Sequence, residues 1–289
     1  MQREQLLNIN PYEGTIMVAV TAMPGGALAT VEGAVTLDFI GVDFRLDLRF
    51  TDGASVQLES AFTVRDRSGG SVVVDPERKD SLLPILRLFG TEIDRRSVEG
   101  ATLTLVFADG ETLVAGPDGE FESWHGSGSK GHPVRVDPPE GSTSPGAEEA
   151  LRVRVPGPPF ALDIAGDTVD FIGIDSDVTI RFSSGASLRF ETDFALTGSD
   201  GEHAFLDPGD KPSLLDLLAL HNKVVSDGAV TGARISVRFA SGELLEGWSN
   251  RRGPSWHYSE PGRARVDIDA LPDGDMQYRY SPSSVGVRR

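Results

Sequence analysis

The sequence contains one stretch twice, and this internal repeat constrains the fold more than any other feature. Residues 39–125 align without a gap with residues 171–257, at an offset of 132 residues, and 31 of the 87 paired positions are identical. Many of the other pairs exchange similar side chains, such as Leu105 and Val237. A match of this length predicts two copies of one folding unit.

The length of 289 residues suits two domains that each have a core. Residues 138–150 are rich in Gly, Ser, Pro and Glu, which favour a flexible tether. The composition of the last segment is typical of a disordered terminus, with docking onto the acidic body as the alternative. We therefore expect an N-terminal arm (1–14), a first copy (15–137), a linker (138–150), a second copy (151–272) and a C-terminal tail (273–289).

Alternation of apolar and polar residues predicts the strands of each copy. In residues 44–50 (FRLDLRF), Phe and Leu alternate with Arg and Asp, which is the pattern of a half-buried strand. A turn at Gly53 and a returning segment predict a hairpin, and the second copy repeats this design at Gly185. Weaker strands are predicted over residues 15–21 and 151–155.

A helical pattern follows the third strand of each copy. Residues 80–90 (DSLLPILRLFG) place leucines at helical spacing between a capping Asp80 or Ser81 and a terminating Gly90, and residues 213–222 repeat the pattern. A helix of about ten residues is unstable alone, so it must pack on a sheet. The predicted fold class is α+β: two homologous copies, each a mainly antiparallel sheet of about six strands packed on one short helix.

The charge of the chain limits its partners. A formal net charge of −17 and a pI near 4.7 repel phosphate backbones and anionic lipid, so we expect neither nucleic acid nor membrane as a partner. Another protein, with a basic surface as the complementary choice, is the expected partner. The acidity also serves solubility, which is the simpler interpretation. The lack of cysteine and of a signal-peptide pattern predicts a cytoplasmic protein.

Residues that are repeated in both copies supply the candidate site. In each copy the aligned stretch ends with Trp-His. A histidine can act as a base, because its unperturbed pKa lies near neutrality. The alternative is structural, with the tryptophan closing the end of the sheet. Glutamates in the middle of a predicted strand also recur. The candidate partner-binding or ligand-binding residues are Trp124, His125, Trp256, His257, Glu59 and Glu191.

The sequence offers no assembled active site. No serine occupies a glycine elbow, and the chain has no cysteine nucleophile. The five histidines lack the spacing of zinc ligands, and the acids between Asp267 and Asp275 fail the spacing of a calcium loop. The repeated Asp75 precedes a proline and the repeated Glu111 follows a turn glycine, so a role in a turn explains both residues. We therefore predict no catalytic residue, no metal and no cofactor, and favour a protein that is not an enzyme.

A core-and-turn pattern runs through both copies, and it is carried by Phe50, Thr51-Asp52-Gly53, Leu82-Leu83, Phe107-Ala108-Asp109-Gly110 and Glu122-Ser123-Trp124. In this pattern the chain resembles a family of small uncharacterised actinobacterial α+β domains. It is also similar to the compact immunity proteins of bacterial toxin loci. The resemblance covers most of each copy and implies no catalytic residue. The second copy departs at Gly253-Pro254-Ser255, where Glu122 has no acidic equivalent.

Three functions stay open at this point. Acidity, duplication and the lack of an active site favour a non-enzymatic protein-binding module, with immunity or antitoxin-like neutralisation as its most specific version. The two copies are expected to pack as an intramolecular pseudo-dimer. One alternative is an enzyme or small-ligand binder that uses the groove between the copies. The other is a structural or assembly component of a bacterial complex.

Overall fold

The fold of this chain is mainly antiparallel β structure. The structure is a computed structural model that describes residues 34–117, 123–127, 160–249, 255–261, 264–271 and 276–282. The predicted arm, the predicted linker and the weak strands predicted over 15–21 and 151–155 lie outside the described residues.

Strands from both copies form one ten-stranded antiparallel sheet, which we call the central sheet. In spatial order it consists of β21 (Met276–Pro282), β20 (Ala264–Ala270), β19 (Trp256–Glu260), β13 (Ser187–Phe190), β12 (Val178–Phe182), β11 (Val169–Ile174), β1 (Leu37–Val42), β2 (Leu46–Phe50), β3 (Ser55–Leu58) and β9 (Trp124–Ser127). Along β2 the side chains alternate between buried and more exposed, because one face of the sheet covers the core and the other faces solvent.

Each copy contributes a second, smaller sheet. The first copy forms a five-stranded sheet in the order β5 (Ser71–Val74), β4 (Phe62–Arg65), β8 (Thr112–Ala115), β7 (Thr102–Phe107) and β6 (Ile93–Glu99). The second copy forms a six-stranded sheet in the order β10 (Phe160–Ala161), β16 (Val225–Thr231), β17 (Arg234–Phe239), β18 (Leu244–Trp248), β14 (Phe194–Thr197) and β15 (His203–Leu206). Buried residues from all three sheets belong to one hydrophobic cluster.

The prediction of an α+β fold with one sheet and one helix in each copy is wrong. Strands account for 53% of the structure and helical residues for 9%. The helical parts are a 3₁₀ turn (Lys79–Ser81) before α1 (Leu83–Leu88), and a 3₁₀ turn (Lys211–Leu214) before α2 (Leu215–Leu218). The leucine spacing fills one buried turn rather than a full helix, because α1 ends where Phe89 becomes extended and Gly90 adopts a φ of +76°.

Eight phenylalanines occupy equivalent positions in the two copies, and they fall into two groups. Phe39 and Phe171 are half-buried on the outer face of the central sheet. The other six are buried and supply large apolar surfaces to the shared cluster. These six are Phe50, Phe62, Phe107, Phe182, Phe194 and Phe239.

The two copies meet where β1 pairs with β11. Gly41 lies opposite Gly173, and Ile40 lies opposite Ile174. Because the copies are offset by 132 residues, exchanging them maps this ladder onto itself, as a two-fold axis requires. We call this paired region the joint. The two copies are therefore related by a local two-fold axis and share one sheet.

The glycines at the joint are required by the aromatic rings that cover them. A Cβ atom on Gly41 would stand 2.9 Å from the ring of Phe39, and one on Gly173 would stand 2.9 Å from the ring of Phe171. The two ring centroids are 6.3 Å apart, with 18° between the planes. The rings therefore shield backbone that has no side chain of its own. The guanidinium groups over these rings belong to Arg49 and Arg181, at 4.2 and 4.8 Å.

A terminal hairpin extends the central sheet beyond β19. Residues 276–282, which the sequence assigns to the C-terminal tail, form β21 and pair with β20 from Ala264 opposite Pro282 to Ala270 opposite Met276. β20 in turn pairs with β19. This hairpin makes β19 an interior strand, and Trp256 on that strand is 1% exposed.

Candidate functional site

The two repeated tryptophans occupy matching positions in the central sheet. Trp124 begins β9, and Trp256 begins β19. The indole Nε1 of Trp124 donates to the carbonyl of Ala101 at 2.9 Å, and that of Trp256 donates to the carbonyl of Ala233 at 3.3 Å. Ala101 and Ala233 are equivalent positions beside the smaller sheets. The repeated bond indicates that each indole ties its smaller sheet to the central sheet.

The two Trp-His pairs lie far apart. Six strands separate β9 from β19 in the central sheet. At the usual strand spacing the pairs are therefore roughly 34 Å apart. The structure does not bring Trp124, His125, Trp256 and His257 together, and no shared groove contains all four.

The two histidines have different charged neighbours. His125 is exposed, and its Nε2 lies 3.9 Å from Oε1 of Glu59. His257 Nδ1 lies 2.6 Å from Oδ1 of Asp269, and its Nε2 lies 3.9 Å from Oδ1 of Asp267. Both histidines thus face carboxylates on the polar side of the central sheet. Each histidine therefore lies near carboxylates of its own copy, and the two do not form a common site.

The candidate glutamates each pair with an arginine, and the arginine comes from a different strand in each copy. Arg45, just before β2, places Nη1 3.7 Å from Oε1 of Glu59. Arg189, within β13, places Nη2 3.3 Å from Oε1 of Glu191. The position equivalent to Arg45 in the second copy is Asp177, which also pairs with Arg189. Such exposed ion pairs contribute up to about 1 kcal/mol, so they are surface pairs.

A repeated lysine is absent from the candidate residues of the sequence analysis. It is Lys79 in the first copy, where it is half-buried, and Lys211 in the second copy, where it is buried. Each ammonium group donates to one carbonyl in a tight turn of the central sheet and to one in the turn before the helix. These carbonyls belong to Asp43 and Pro76 for Lys79, and to Asp175 and Pro208 for Lys211. Burial lowers the pKa of both lysines, against the effect of nearby carboxylates. The signal in the sequence was an identical lysine at the 132-residue offset.

A buried histidine of the second copy lies beside the joint, against the turn that follows β1. His221 is 8% exposed, and its ring meets the ring of Phe44 from the first copy edge-on at 5.2 Å. Its Nε2 is buried and has no hydrogen-bond partner among the described residues. Burial and then the Lys79 ammonium lower the pKa of His221, against the effects of Asp43 and Asp170. The neutral ring is therefore the form that this packing favours.

An exposed group of rings lies on the smaller sheet of the second copy. The Phe205 ring meets the His203 ring at 4.9 Å and the Trp248 ring at 6.1 Å, both edge-on. Phe205 is 67% exposed and Trp248 is 36% exposed. We call these three residues the aromatic cluster. The first copy has much smaller residues at these positions, namely Ser71, Val73 and Gly116.

Acidic residues surround the aromatic cluster. Residues 191–210, which we call the acidic segment, contain β14, β15 and their turns, and hold six carboxylates without any Lys or Arg. The equivalent residues 59–78 of the first copy hold four carboxylates and three arginines. Glu202 and Asp207 are exposed at the two ends of β15. The second copy therefore combines exposed rings with an excess of negative charge.

A cleft in the first copy lies between the turn at residues 66–68 and the turn at 109–111. Burial, followed by the charges of Asp109 and Asp66, raises the pKa of Glu111 in this cleft. The acids do not form a metal site: across the described residues, no three His, Cys, Asp or Glu side chains are arranged to hold a metal ion.

Both copies of the repeat match one known protein family. The family of unknown function DUF6188 matches the sequence twice, over residues 33–143 and 160–279. The chain belongs to the DUF6188 family. The prediction of a tandem uncharacterised domain is thereby confirmed.

The DUF6188 copies share buried contacts and differ on their surfaces. The tryptophan bonds and the lysine bonds occur in both copies, whereas the aromatic cluster belongs to the second copy alone among the described residues. No protein of curated function matches this DUF6188 chain. Every helix in the described residues falls short of the length and apolar character that a bilayer span requires.

Two solved structures of sliding clamps from Pseudomonas aeruginosa were compared with this DUF6188 protein. The DnaN clamp (DNA polymerase III subunit beta) bound to griselimycin is 10% identical over 86% of this chain and 75% of the clamp, with a TM-score of 0.13. The DNA polymerase sliding clamp with ligand is 11% identical over 86% of this chain and 76% of the clamp, with a TM-score of 0.14. Scores this low carry no argument about fold or function.

Proposed function

We propose that this DUF6188 protein is a non-enzymatic module that binds a partner protein through the aromatic cluster of its second copy. The observation that carries the proposal is the exposed contact between Phe205 and Trp248. Aromatic side chains are enriched at protein interfaces, because they supply large apolar area together with few rotatable bonds. A cluster of exposed rings is a stronger signal than an isolated exposed residue.

The charge around the cluster specifies the partner. The acidic segment attracts a basic surface and repels nucleic acid and anionic lipid. The most specific version of the proposal is a cytoplasmic immunity or antitoxin-like protein that neutralises a basic toxic protein. The acidity of the chain supports this version. Expression of the protein together with the product of a neighbouring toxic gene should restore growth of the host.

The groove alternative is not carried further. It required the two Trp-His pairs to line one cavity, and these pairs are separated by six strands. No observation in the described residues favours a substrate or a small ligand there.

The test compares capture of partners by the full chain and by variants. Phe205→Val with Trp248→Gly gives the second copy the residues of the first, and both positions are exposed, so the fold should be kept. Val73→Ala, at the position equivalent to Phe205, is the matched control. From extracts of the native host, we expect the parent and Val73→Ala to recover the same partner and the double variant to lose it. Recovery that is unaffected by the double variant, or no partner at all, contradicts the proposal.

A further inference from the structure

The strand that carries Phe205 has one open side. β15 is the last strand of its six-stranded sheet and pairs with β14 alone among the described residues. Its four residues pair in continuous register, from Phe194 opposite Leu206 to Thr197 opposite His203, without a bulge. Backbone N–H and C=O groups on its outer side therefore face away from the sheet.

Proteins usually protect such an edge with lysine, proline, a bulge or a covering segment. Within the part of the chain that the structure describes, β15 has none of these between His203 and Leu206. The opposite edge of the same sheet is different, because β10 covers β16. An unprotected edge can take an added strand, with backbone hydrogen bonds for affinity and side-chain contacts for specificity.

The side chains around β15 determine which strand fits. Phe205 projects from the outer face of the sheet, directly beside Ala195 of β14. Phe194 and Leu206 occupy the opposite face, yet Ala195 on the outer face is also buried. The ring of Phe205 and that of Trp248 form an apolar surface over this part of the sheet. An added strand with an aliphatic residue at alternate positions would place it against this surface.

The charges favour a basic strand. Exposed carboxylates lie before β15 at Asp200 and Glu202, and after it at Asp207 and Asp210. The acidic segment holds no cationic side chain that could neutralise them. Lysine or arginine residues flanking an aliphatic residue would meet these acids at both ends of the strand.

We propose that β15 binds an extended basic segment as an added antiparallel strand, with an aliphatic side chain of that segment against the ring of Phe205, which in turn contacts Trp248. This inference rests on the proposed function and names the chemistry and the binding mode of the partner. The interaction combines backbone pairing, apolar contact and complementary charge, so each part can be removed separately.

The test titrates the full chain with synthetic peptides that have capped ends. The probe has the sequence Lys-Val-Lys-Ile-Lys-Val-Lys. A second peptide replaces each lysine with glutamate, and a third replaces both valines with proline, which preserves the charge but prevents strand pairing. Binding is followed by the fluorescence of the exposed Trp248, because Trp256 is buried and Trp124 is half-buried.

We expect saturable binding of the probe, with a shift of the Trp248 emission to shorter wavelength and slower amide hydrogen exchange in β15. The acidic peptide should not bind, and the proline peptide should bind at least about tenfold more weakly. Phe205→Val should weaken binding of the probe by about tenfold, and Val73→Ala should not change it. Higher salt should weaken binding, because exposed charges are screened.

Three results would overturn the inference: equal binding of the basic and proline peptides, unchanged binding by Phe205→Val, or exchange protection in β5 in place of β15. Failure of the inference is distinguishable from failure of the proposed function. A host partner that requires the aromatic cluster, together with a probe that does not bind, leaves the function in place and rejects the added strand. A probe that binds as expected, when host extracts yield no partner, rejects the function and retains the surface.

Discussion

The hairpin β4–β5 of the first copy and the hairpin β14–β15 of the second share the same strand register but expose different side chains. Phe62 lies opposite Val74 in the first, and Phe194 lies opposite Leu206 in the second, which is the same register. Gly69 and Gly201 occupy equivalent turn positions, with φ angles of +90° and +89°. The residues that are buried in both hairpins change only between similar aliphatic side chains, from Val64 to Leu196 and from Val74 to Leu206, whereas the outward residues change in both charge and size.

This difference teaches that the core and the turn determine the hairpin, while the exposed positions are free to change. Phe62 and Phe194 are buried equivalents, and the turn glycines are required because L side chains rarely adopt positive φ. The change from Val73 to Phe205 occurs on the opposite face, where Ala195 beside Phe205 is buried and the equivalent Thr63 is half-buried. A duplicated domain can therefore keep the same buried framework in both copies while their exposed surfaces diverge.

The largest expected difference between the copies concerns the repeated tryptophans. Trp256 is 1% exposed beneath the β20–β21 hairpin, whereas Trp124 is half-buried on the last described strand of the sheet. Trp256→Ala should lower the free energy of unfolding by about 3–5 kcal/mol, and Trp124→Ala by about half as much. Urea unfolding of the full chain measures both. Equal losses would show that the terminal hairpin adds no burial that matters for stability.

The buried lysines should rank next. Lys211→Met leaves the carbonyls of Asp175 and Pro208 without their donor and should lower the free energy of unfolding by about 1–3 kcal/mol. Lys79→Met should have a smaller effect, because Lys79 is less buried than Lys211, which is 7% exposed. Chemical denaturation of the two variants checks this order. A larger loss for Lys79→Met would contradict it.

The joint should give a smaller, pH-dependent difference. Because the pKa of His221 is lowered in the folded state, the unfolded state binds a proton that the folded state does not, so stability falls as pH drops through the unfolded pKa of about 6.5. His221→Phe, which introduces the residue of the first copy, should reduce this loss. Unfolding measured between about pH 7.5 and 5.5 tests it.

Phe89→His is the matched reciprocal variant at the joint. The centroid of the Phe89 ring lies 4.5 Å from Nζ of Lys211. His221 is the equivalent of Phe89 in the second copy, and the ammonium group that acts on it belongs to the equivalent Lys79. A histidine there should add a second acid-sensitive contribution of the same sign. If His221→Phe leaves the pH profile of stability unchanged, the joint does not respond to this proton.

The smallest expected effect concerns the exposed ion pairs. Arg45→Ala and Arg189→Ala remove pairs to Glu59 and Glu191 whose arginine side chains are 42% and 47% exposed. Each should change the free energy of unfolding by less than about 0.5 kcal/mol. Thermal and urea unfolding at low and high salt would detect a larger contribution. A loss above about 1 kcal/mol would assign these pairs a stabilising role beyond a typical surface pair.

Local pairing could be predicted from the sequence where a turn determined it. Gly53 and Gly185 adopt φ angles of +80° and +87°, and the strands on either side pair as expected. The helix was overestimated, because leucine spacing around Pro84 looks the same for one buried turn and for a longer helix. β1, with the sequence LDFIGV, does not alternate, so it was not identified as a strand.

The joint and the aromatic cluster could not be predicted for different reasons. The pairing of Gly41 with Gly173 joins residues that are distant in the chain, and no local pattern specifies such a contact. Repetition is the sequence signal that marks Trp124 and Trp256, and each indole bonds to a backbone carbonyl of its own copy. Phe205 and Trp248 are not repeated, and a comparison of differences between the copies would have found them.

The two-fold relation at the joint also affects how many partners one molecule could bind. Copies related by such an axis carry their corresponding hairpins on opposite sides of it, as the strand order of the central sheet requires. Since only one of the two hairpins presents exposed rings within an excess of acidic residues, the proposed function implies one partner for each molecule despite its doubled architecture. Under that proposal duplication gives no avidity, and the binding hairpin gains a permanently attached companion domain.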